Sequence, residues 1–79
     1  MEENQMLPEL TNRENEVLEQ IAYGFTDEEI SGNLFISEST VENHIRSIYS
    51  KLAISNRAQA IVHVIQAKIF VLLDYMIPL

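Results

Sequence analysis

The sequence contains no cysteine, which excludes disulfides, thiolate metal ligands and cysteine nucleophiles together. This absence is compatible with a reducing compartment, and we expect a cytoplasmic protein. The first ten residues have no basic segment followed by an apolar one, so no signal peptide is predicted. The C-terminal run IFVLLDYMIPL is interrupted by Asp74 and is shorter than the ~20 residues that cross a bilayer. We therefore expect no membrane association.

Glycine and proline are also scarce, with two of each in the chain. The 79 residues have room for one small domain, and 47% of them are hydrophobic, which is enough for a single core. The apolar residues recur at helical spacing, and no segment has the alternating pattern of a strand. The sequence therefore predicts a compact all-α domain.

Four helix starts are marked by residues that cap helix N-termini. They are Thr11 with Glu14, Thr26 with Glu29, Ser37, and Asn56 with Gln59. We expect the first helix to end at Gly24 and the fourth to run from Arg57 past Phe70. The chain therefore divides into four helices with short connections.

Basic residues are few: five Lys and Arg stand against twelve Asp and Glu, for a net charge of −7. Residues 1–42 hold eleven acids and one base, whereas residues 43–79 hold four bases and one acid. This asymmetry favours a C-terminal half that faces an anion. A second interpretation, in which the acids only keep a small domain soluble, remains open.

The predicted third helix has one apolar face and one face of small, hydrogen-bonding side chains. The apolar stripe is Val41, Ile45, Ile48 and Leu52, and the opposite face carries Ser39, Glu42, Asn43, Arg46, Ser47 and Ser50. Asparagine fits the edge of adenine, arginine fits guanine or phosphate, and glutamate can accept from the amino group of cytosine. The pattern is typical of a helix that reads DNA, and an ordinary solvated face is the alternative.

No catalytic or metal site is predicted. Ser39 and His44 lack the spacing of a nucleophile, its base and an orienting acid. His63 has no second ligand one turn further on, and the chain has no glycine-rich phosphate loop. We expect neither an enzyme nor a bound cofactor or metal.

The sequence from Leu10 to about Val64 resembles the LuxR-type helix-turn-helix domain, the DNA-binding output module of NarL/FixJ-class bacterial response regulators. Several separated pieces carry the resemblance: LTNRENEVL at residues 10–18, EISGNLFIS at residues 29–37, TVENH at residues 40–44, and then Ile48, Lys51, Leu52, Arg57 and Ala60. The resemblance implies a helix-turn-helix domain over residues 10–79, after a flexible lead-in at residues 1–9. The apolar end of its fourth helix has no clear counterpart in the family.

This resemblance also implies a transcriptional regulator whose recognition helix, about residues 38–52, enters the major groove of double-stranded DNA. A receiver domain can precede such a module in the parent protein. The expected DNA contacts lie on the third helix and at the start of the fourth. They are Ser39, Thr40, Glu42, Asn43, Arg46, Ser47, Ser50, Lys51, Asn56 and Arg57.

In the family, two copies pair through the fourth helix, and this helix has two apolar stripes here. We expect the stripe of Ala58, Val62, Ile65 and Ile69 to face the core. The second stripe, Ala60, Val64, Ala67 and Val71, is then the predicted homodimer interface. The alternative is that the tail from Leu72 to Leu79 covers the second stripe.

Some residues depart from the family pattern. Asp27 and Glu28 stand where a basic or amide residue is common, and Ala53 stands where the third helix often ends in glycine. A left-handed alanine costs roughly 1 kcal/mol or more. The acidic N-terminal half motivates a rival function, a protein-interaction module that has the fold but binds DNA weakly or not at all.

Overall fold

Hydrogen bonds at the helix starts match the predicted caps in the computed structural model, which describes residues 9–76. The Thr11 hydroxyl accepts from the Glu14 amide at 3.0 Å, and the Glu14 carboxylate accepts from the Thr11 amide at 2.9 Å. Thr26 and Glu29 form the same reciprocal pair. The Ser37 hydroxyl accepts from the amide of Thr40 at 3.1 Å.

The resulting helices are α1 (Asn12–Ala22), α2 (Asp27–Leu34), α3 (Glu38–Leu52) and α4 (Arg57–Met76). Residues 9–76 contain no strand, so the predicted all-α fold is confirmed. At the start of α4 the Asn56 side chain accepts from the Gln59 amide at 2.9 Å, while Gln59 accepts from the Ser55 amide at 2.6 Å. Gln59 therefore bonds one residue earlier than in a reciprocal capping box.

Three connections turn the chain through left-handed backbone. Gly24 follows α1 with a φ of 94°, a conformation that glycine adopts without strain. Phe35 after α2 and Ala53 after α3 have φ values of 60° and 56° although they are not glycine. Ala53 thus has the left-handed conformation for which a cost was given above, and the same steric cost applies to Phe35.

All four helices contribute to one core, whose buried side chains are Val17, Leu18, Ile21, Ile30, Val41, Ile45, Ile48, Ala60 and Val64. Three members of the apolar stripe predicted on α3 are buried, and the fourth, Leu52, is half-buried beside them. Because this stripe packs inward, the opposite face of α3 is left open to solvent.

The prediction for the two faces of α4 was wrong. Ala60 and Val64, expected at a dimer interface, are 0% and 8% exposed, in the core. The stripe expected in the core is exposed instead, with Val62, Ile65 and Ile69 about half accessible. The exposed stripe is the larger and more apolar of the two, so the composition of α4 does not decide which face is buried. The buried face lies where α4 packs chiefly against α1. Ala67 and Val71 are exposed, further along the helix.

The C-terminal half of α4 is exposed on several sides, at Phe70, Val71, Leu72, Tyr75 and Met76. Residues 72–76 continue the helix and therefore do not fold back over it, and residues 77–79 lie outside the described range. By length and composition α4 could cross a membrane. Insertion would, however, withdraw Ala60 and Val64 from the core, at a cost of several kcal/mol.

The predicted lead-in at residues 1–9 lies outside the described residues except for Glu9. The carbonyl oxygen of Glu9 accepts a hydrogen bond from the Lys51 ammonium at 3.2 Å. This contact joins the segment before α1 to the end of α3.

Candidate nucleic-acid interface

The open face of α3 presents the side chains that the sequence placed there, with the exception of Ser47, which bonds to Glu14 on α1. Ser39, Glu42, Asn43, Arg46 and Ser50 are exposed, and Thr40 is half-buried. The Arg46 guanidinium donates to the Asn43 side-chain oxygen at 2.9 Å, one turn earlier on the helix. This bond limits the conformational freedom of both side chains. The Arg46 guanidinium and the Asn43 side-chain amide are therefore held next to each other on the open face.

Hydroxyl groups cluster at the N-terminus of α3. The Ser37 oxygen lies 3.2 Å from the Ser39 oxygen and 2.9 Å from the Thr40 oxygen. Helix N-termini and hydroxyl donors both favour phosphate. Glu38 in the first turn is negatively charged and repels phosphate. It therefore weakens the attraction of phosphate to the N-terminus of α3.

A shallow groove of about 310 Å³ runs beside this face. Glu42 and Arg46 from α3, Asp27 from α2 and Arg57 from α4 line it together with Ile45 and Tyr49. Two acids and two bases meet there. The groove is therefore balanced in formal charge, not positive.

Lys51 and Ser47 turn away from the open face toward α1. The Lys51 ammonium donates to one oxygen of the Glu14 carboxylate at 2.8 Å, and the Ser47 hydroxyl donates to the other at 2.6 Å. Glu14 is only 5% exposed. The bonds from Lys51 and Ser47 lower the pKa of Glu14 to about 2, against the opposing effect of burial.

The sequence did not predict that Glu14 contacts α3, because Glu14 already had a role as the capping residue of the first helix. The available signal was the i, i+4 spacing of Ser47 and Lys51, which puts both on one side of α3. Their partner lies more than thirty residues earlier in the chain. No local pattern identifies such a partner.

Arg57 is also held within the fold. Its guanidinium donates to the Asp27 carboxylate at 2.9 Å and to the Phe25 carbonyl oxygen at 2.6 Å. The side chains of Arg57 and Lys51 remain 39% and 27% exposed. Acids thus neutralise two of the three basic residues among the predicted DNA contacts, Lys51 and Arg57.

The other predicted residues stay near their expected positions. Asn56 is exposed and caps α4, His44 is half-buried beside the α3 stripe, and His63 is exposed on α4. Among residues 9–76, no cluster of three or more His, Asp or Glu side chains could hold a metal ion.

Comparisons with known proteins found one matching family and several similar proteins. The family model for bacterial regulatory proteins of the luxR family matches residues 8–64. The transcriptional regulatory protein LnrK of Bacillus subtilis is 47% identical over 60 residues, which are 76% of this chain and 27% of LnrK. The spore germination protein GerE of the same organism is 45% identical over 64 residues, which are 81% of this chain and 86% of GerE.

A solved structure has the same fold. The response regulator ChrA of a heme-sensing two-component system superposes with a TM-score of 0.72 at 39% sequence identity, covering 77% of this chain and 30% of ChrA. The chain thus spans between a quarter and a third of LnrK and of ChrA, but most of GerE.

Proposed function

The chain belongs to the luxR family of bacterial regulatory proteins, and from this membership we propose that it binds double-stranded DNA by placing α3 in the major groove. Its relatives are transcriptional regulators and not enzymes. The observation that carries the proposal is the exposed Asn43–Arg46 pair on the face of α3 opposite the core. Arginine and asparagine have the donors and acceptors that read guanine and adenine edges.

The domain proposed for residues 10–79 consists of the unit matched by the family and an apolar extension. The family match ends at residue 64, and α4 continues to Met76. Transcription requires access to DNA, so we place the protein in the bacterial cytoplasm. Similarity to a response regulator supports a receiver domain in the parent protein, and the intact mass of the native protein would test this.

The exposed face of α4 supports a homodimer. Val62, Ile65, Ile69, Leu72 and Met76 are spaced by three and four residues, and about half or more of each is accessible. This spacing matches the seam of two packed helices. The interface is therefore proposed for this seam, in place of the Ala60 and Val64 stripe.

DNA binding is tested by replacing Arg46. A duplex selected by the wild-type protein from a random pool serves as the probe. We expect Arg46→Ala to weaken binding to it by ~1–3 kcal/mol, because a base or phosphate contact is lost. Lys68→Ala removes the same charge from an exposed site on α4 and is the matched control.

Unchanged affinity of a folded Arg46→Ala protein would contradict the proposed contact. The rival function, an interaction module without DNA affinity, is favoured by the pairing of Lys51 and Arg57 with acids. A gel-shift titration at low salt with random duplex distinguishes the two. Absence of any shift would support the rival.

A further inference from the structure

Three donors converge on the carboxylate of Glu14. The Thr11 amide and the Lys51 ammonium reach one oxygen at 2.9 and 2.8 Å, and the Ser47 hydroxyl reaches the other at 2.6 Å. Ser47 and Lys51 lie one turn apart on α3, and Glu14 lies on the first turn of α1. We call this set of Glu14, Ser47 and Lys51 the clamp.

The clamp differs from an ordinary surface ion pair. The Glu14 side chain is 7% exposed, whereas Arg13 and Glu16, which form a surface pair on α1, are 42% and 55% exposed. Exposed pairs contribute little because water screens them and both side chains lose freedom. Removing Lys51, whose side chain is 27% exposed, would leave the buried Glu14 carboxylate charged and unpaired, and such a loss is costly.

The clamp acts on α3 at two points. Contacts at Ser47 and Lys51 oppose both rotation of α3 about its axis and sliding along it. Successive helical residues are about 100° apart, so a rotation of α3 approaching that angle would move Asn43 and Arg46 off the open face. The bonds from Lys51 and Ser47 outweigh the effect of burial on the pKa of Glu14, so its carboxylate remains charged although it is buried.

We infer that Glu14 is a positioning residue for DNA binding: it orients α3 and engages Lys51, so that Arg46 and not Lys51 faces the phosphates. This inference rests on the proposed function. It separates two roles for cations on one helix, since Arg46 meets the ligand and Lys51 holds the scaffold.

The dependence of binding on salt distinguishes these roles, because each neutralised phosphate contributes ~0.9 to the slope of log K against log salt. The probe is a 30-base-pair duplex of random sequence, at roughly neutral pH. Arg46→Gln is expected to lose ~0.9 of slope. Lys51→Gln is expected to bind more weakly with an unchanged slope.

Glu14→Gln removes the negative charge that neutralises Lys51, while the Glu9 carbonyl that also accepts from Lys51 is neutral. It is therefore expected to steepen the slope by ~0.9. The double variant Glu14→Gln/Lys51→Gln should return it to the wild-type value. Glu16→Gln changes the net charge equally at an exposed site on the same helix, and its slope should match the wild type. Simple structural damage would weaken binding without steepening the slope.

The inference is overturned if Lys51→Gln loses as much slope as Arg46→Gln, or if Glu14→Gln behaves like Glu16→Gln. If Glu14→Gln does not fold, the comparison of Lys51→Gln with Arg46→Gln decides by itself. Circular dichroism establishes which variants are folded.

A test without DNA keeps the two proposals separate. A double-mutant cycle of Glu14→Gln and Lys51→Gln is measured by urea unfolding. The unfolding constant of the double variant should differ by roughly tenfold or more from the value expected if the two effects were independent. In the matching cycle of Glu16→Gln with Arg13→Gln, the coupling factor between the two substitutions should be close to one. If the wild type binds no duplex but the coupling is present, the proposed function fails and the clamp stands as a structural device. Absent coupling overturns the clamp itself.

Discussion

Among single residues, Glu14 has the strongest predicted effect on acid stability. Its pKa is lowered from 4.5 to about 2, chiefly by the bond from Lys51 and then by the bond from Ser47. A carboxyl group with a lower pKa in the folded state stabilises that state fully above its unfolded pKa. The stabilisation decreases as pH falls from about 4.5 through about 2.

We expect Glu14 to account for roughly 2–3 kcal/mol of the free energy of unfolding that is lost over this interval. Urea unfolding at a series of pH values between 6 and 2 measures this loss. The Glu14→Gln variant should have a lower free energy of unfolding than the wild type at neutral pH. Its free energy of unfolding should also decrease less as the pH falls. Glu16→Gln, which removes an exposed carboxylate, should retain the wild-type loss. An equal acid loss in Glu14→Gln and the wild type would refute the assignment.

Ala53 is a second residue whose conformation predicts a measurable effect. It ends α3 with φ 56° and ψ 44°, and its side chain is exposed. Glycine adopts this conformation without a Cβ clash, so Ala53→Gly should raise the free energy of unfolding by ~0.5–1 kcal/mol. Ala67→Gly, at an exposed helical site of α4, should instead lower it by ~1 kcal/mol. A destabilising Ala53→Gly would show that the left-handed alanine is not strained.

At the scale of elements, local signals were sufficient for helix starts and insufficient for helix faces. Thr11, Thr26 and Ser37 cap helices through residues three positions away, so a short stretch of sequence contains both partners. The wrong prediction of which face of α4 is buried has a different cause. Both stripes are apolar, and the one with Ala60 and Val64 is buried in the core where α4 packs chiefly against α1.

The candidate site shows the same division. The open face of α3 could be predicted because it is the complement of a single apolar stripe on the same helix. The engagement of Lys51 by Glu14 and of Arg57 by Asp27 could not, since the partners are 37 and 30 residues apart in sequence. Periodicity assigns a residue to a face but does not identify the residue packed against it.

The two faces of α4 give opposite predictions for substitutions. Ile69→Glu changes an exposed residue of the proposed seam and should leave a folded monomer, because the charge prevents close packing of two seams. Val64→Glu places a charge in the core and should unfold the domain. Sedimentation equilibrium and circular dichroism measure the two outcomes. A wild type that stays monomeric at high concentration and on DNA would contradict the proposed dimer.

At the scale of the whole molecule, electrostatic attraction to DNA is expected to be weak. The chain has a net charge of −7, and Lys51 and Arg57 are paired with Glu14 and Asp27. Arg46 is then the main cation on the open face of α3. We therefore expect a shallow salt dependence, with a slope of about −1 per copy. In the proposed complex with DNA, we therefore expect site preference to come chiefly from contacts with base edges.

Glu42 lies beside Arg46 in the groove next to α3, and it reduces the positive potential there. Glu42→Lys should steepen the salt slope of the protein by about one unit or more and tighten binding to random duplex. It should also reduce the preference for a selected duplex, because a carboxylate that accepts from cytosine or repels wrong sites is lost. Glu19→Lys makes the same charge change on α1, away from this face, and is the control. Salt titrations of both variants on selected and random duplex measure these effects, and an undiminished site preference in Glu42→Lys would exclude a specificity role for Glu42.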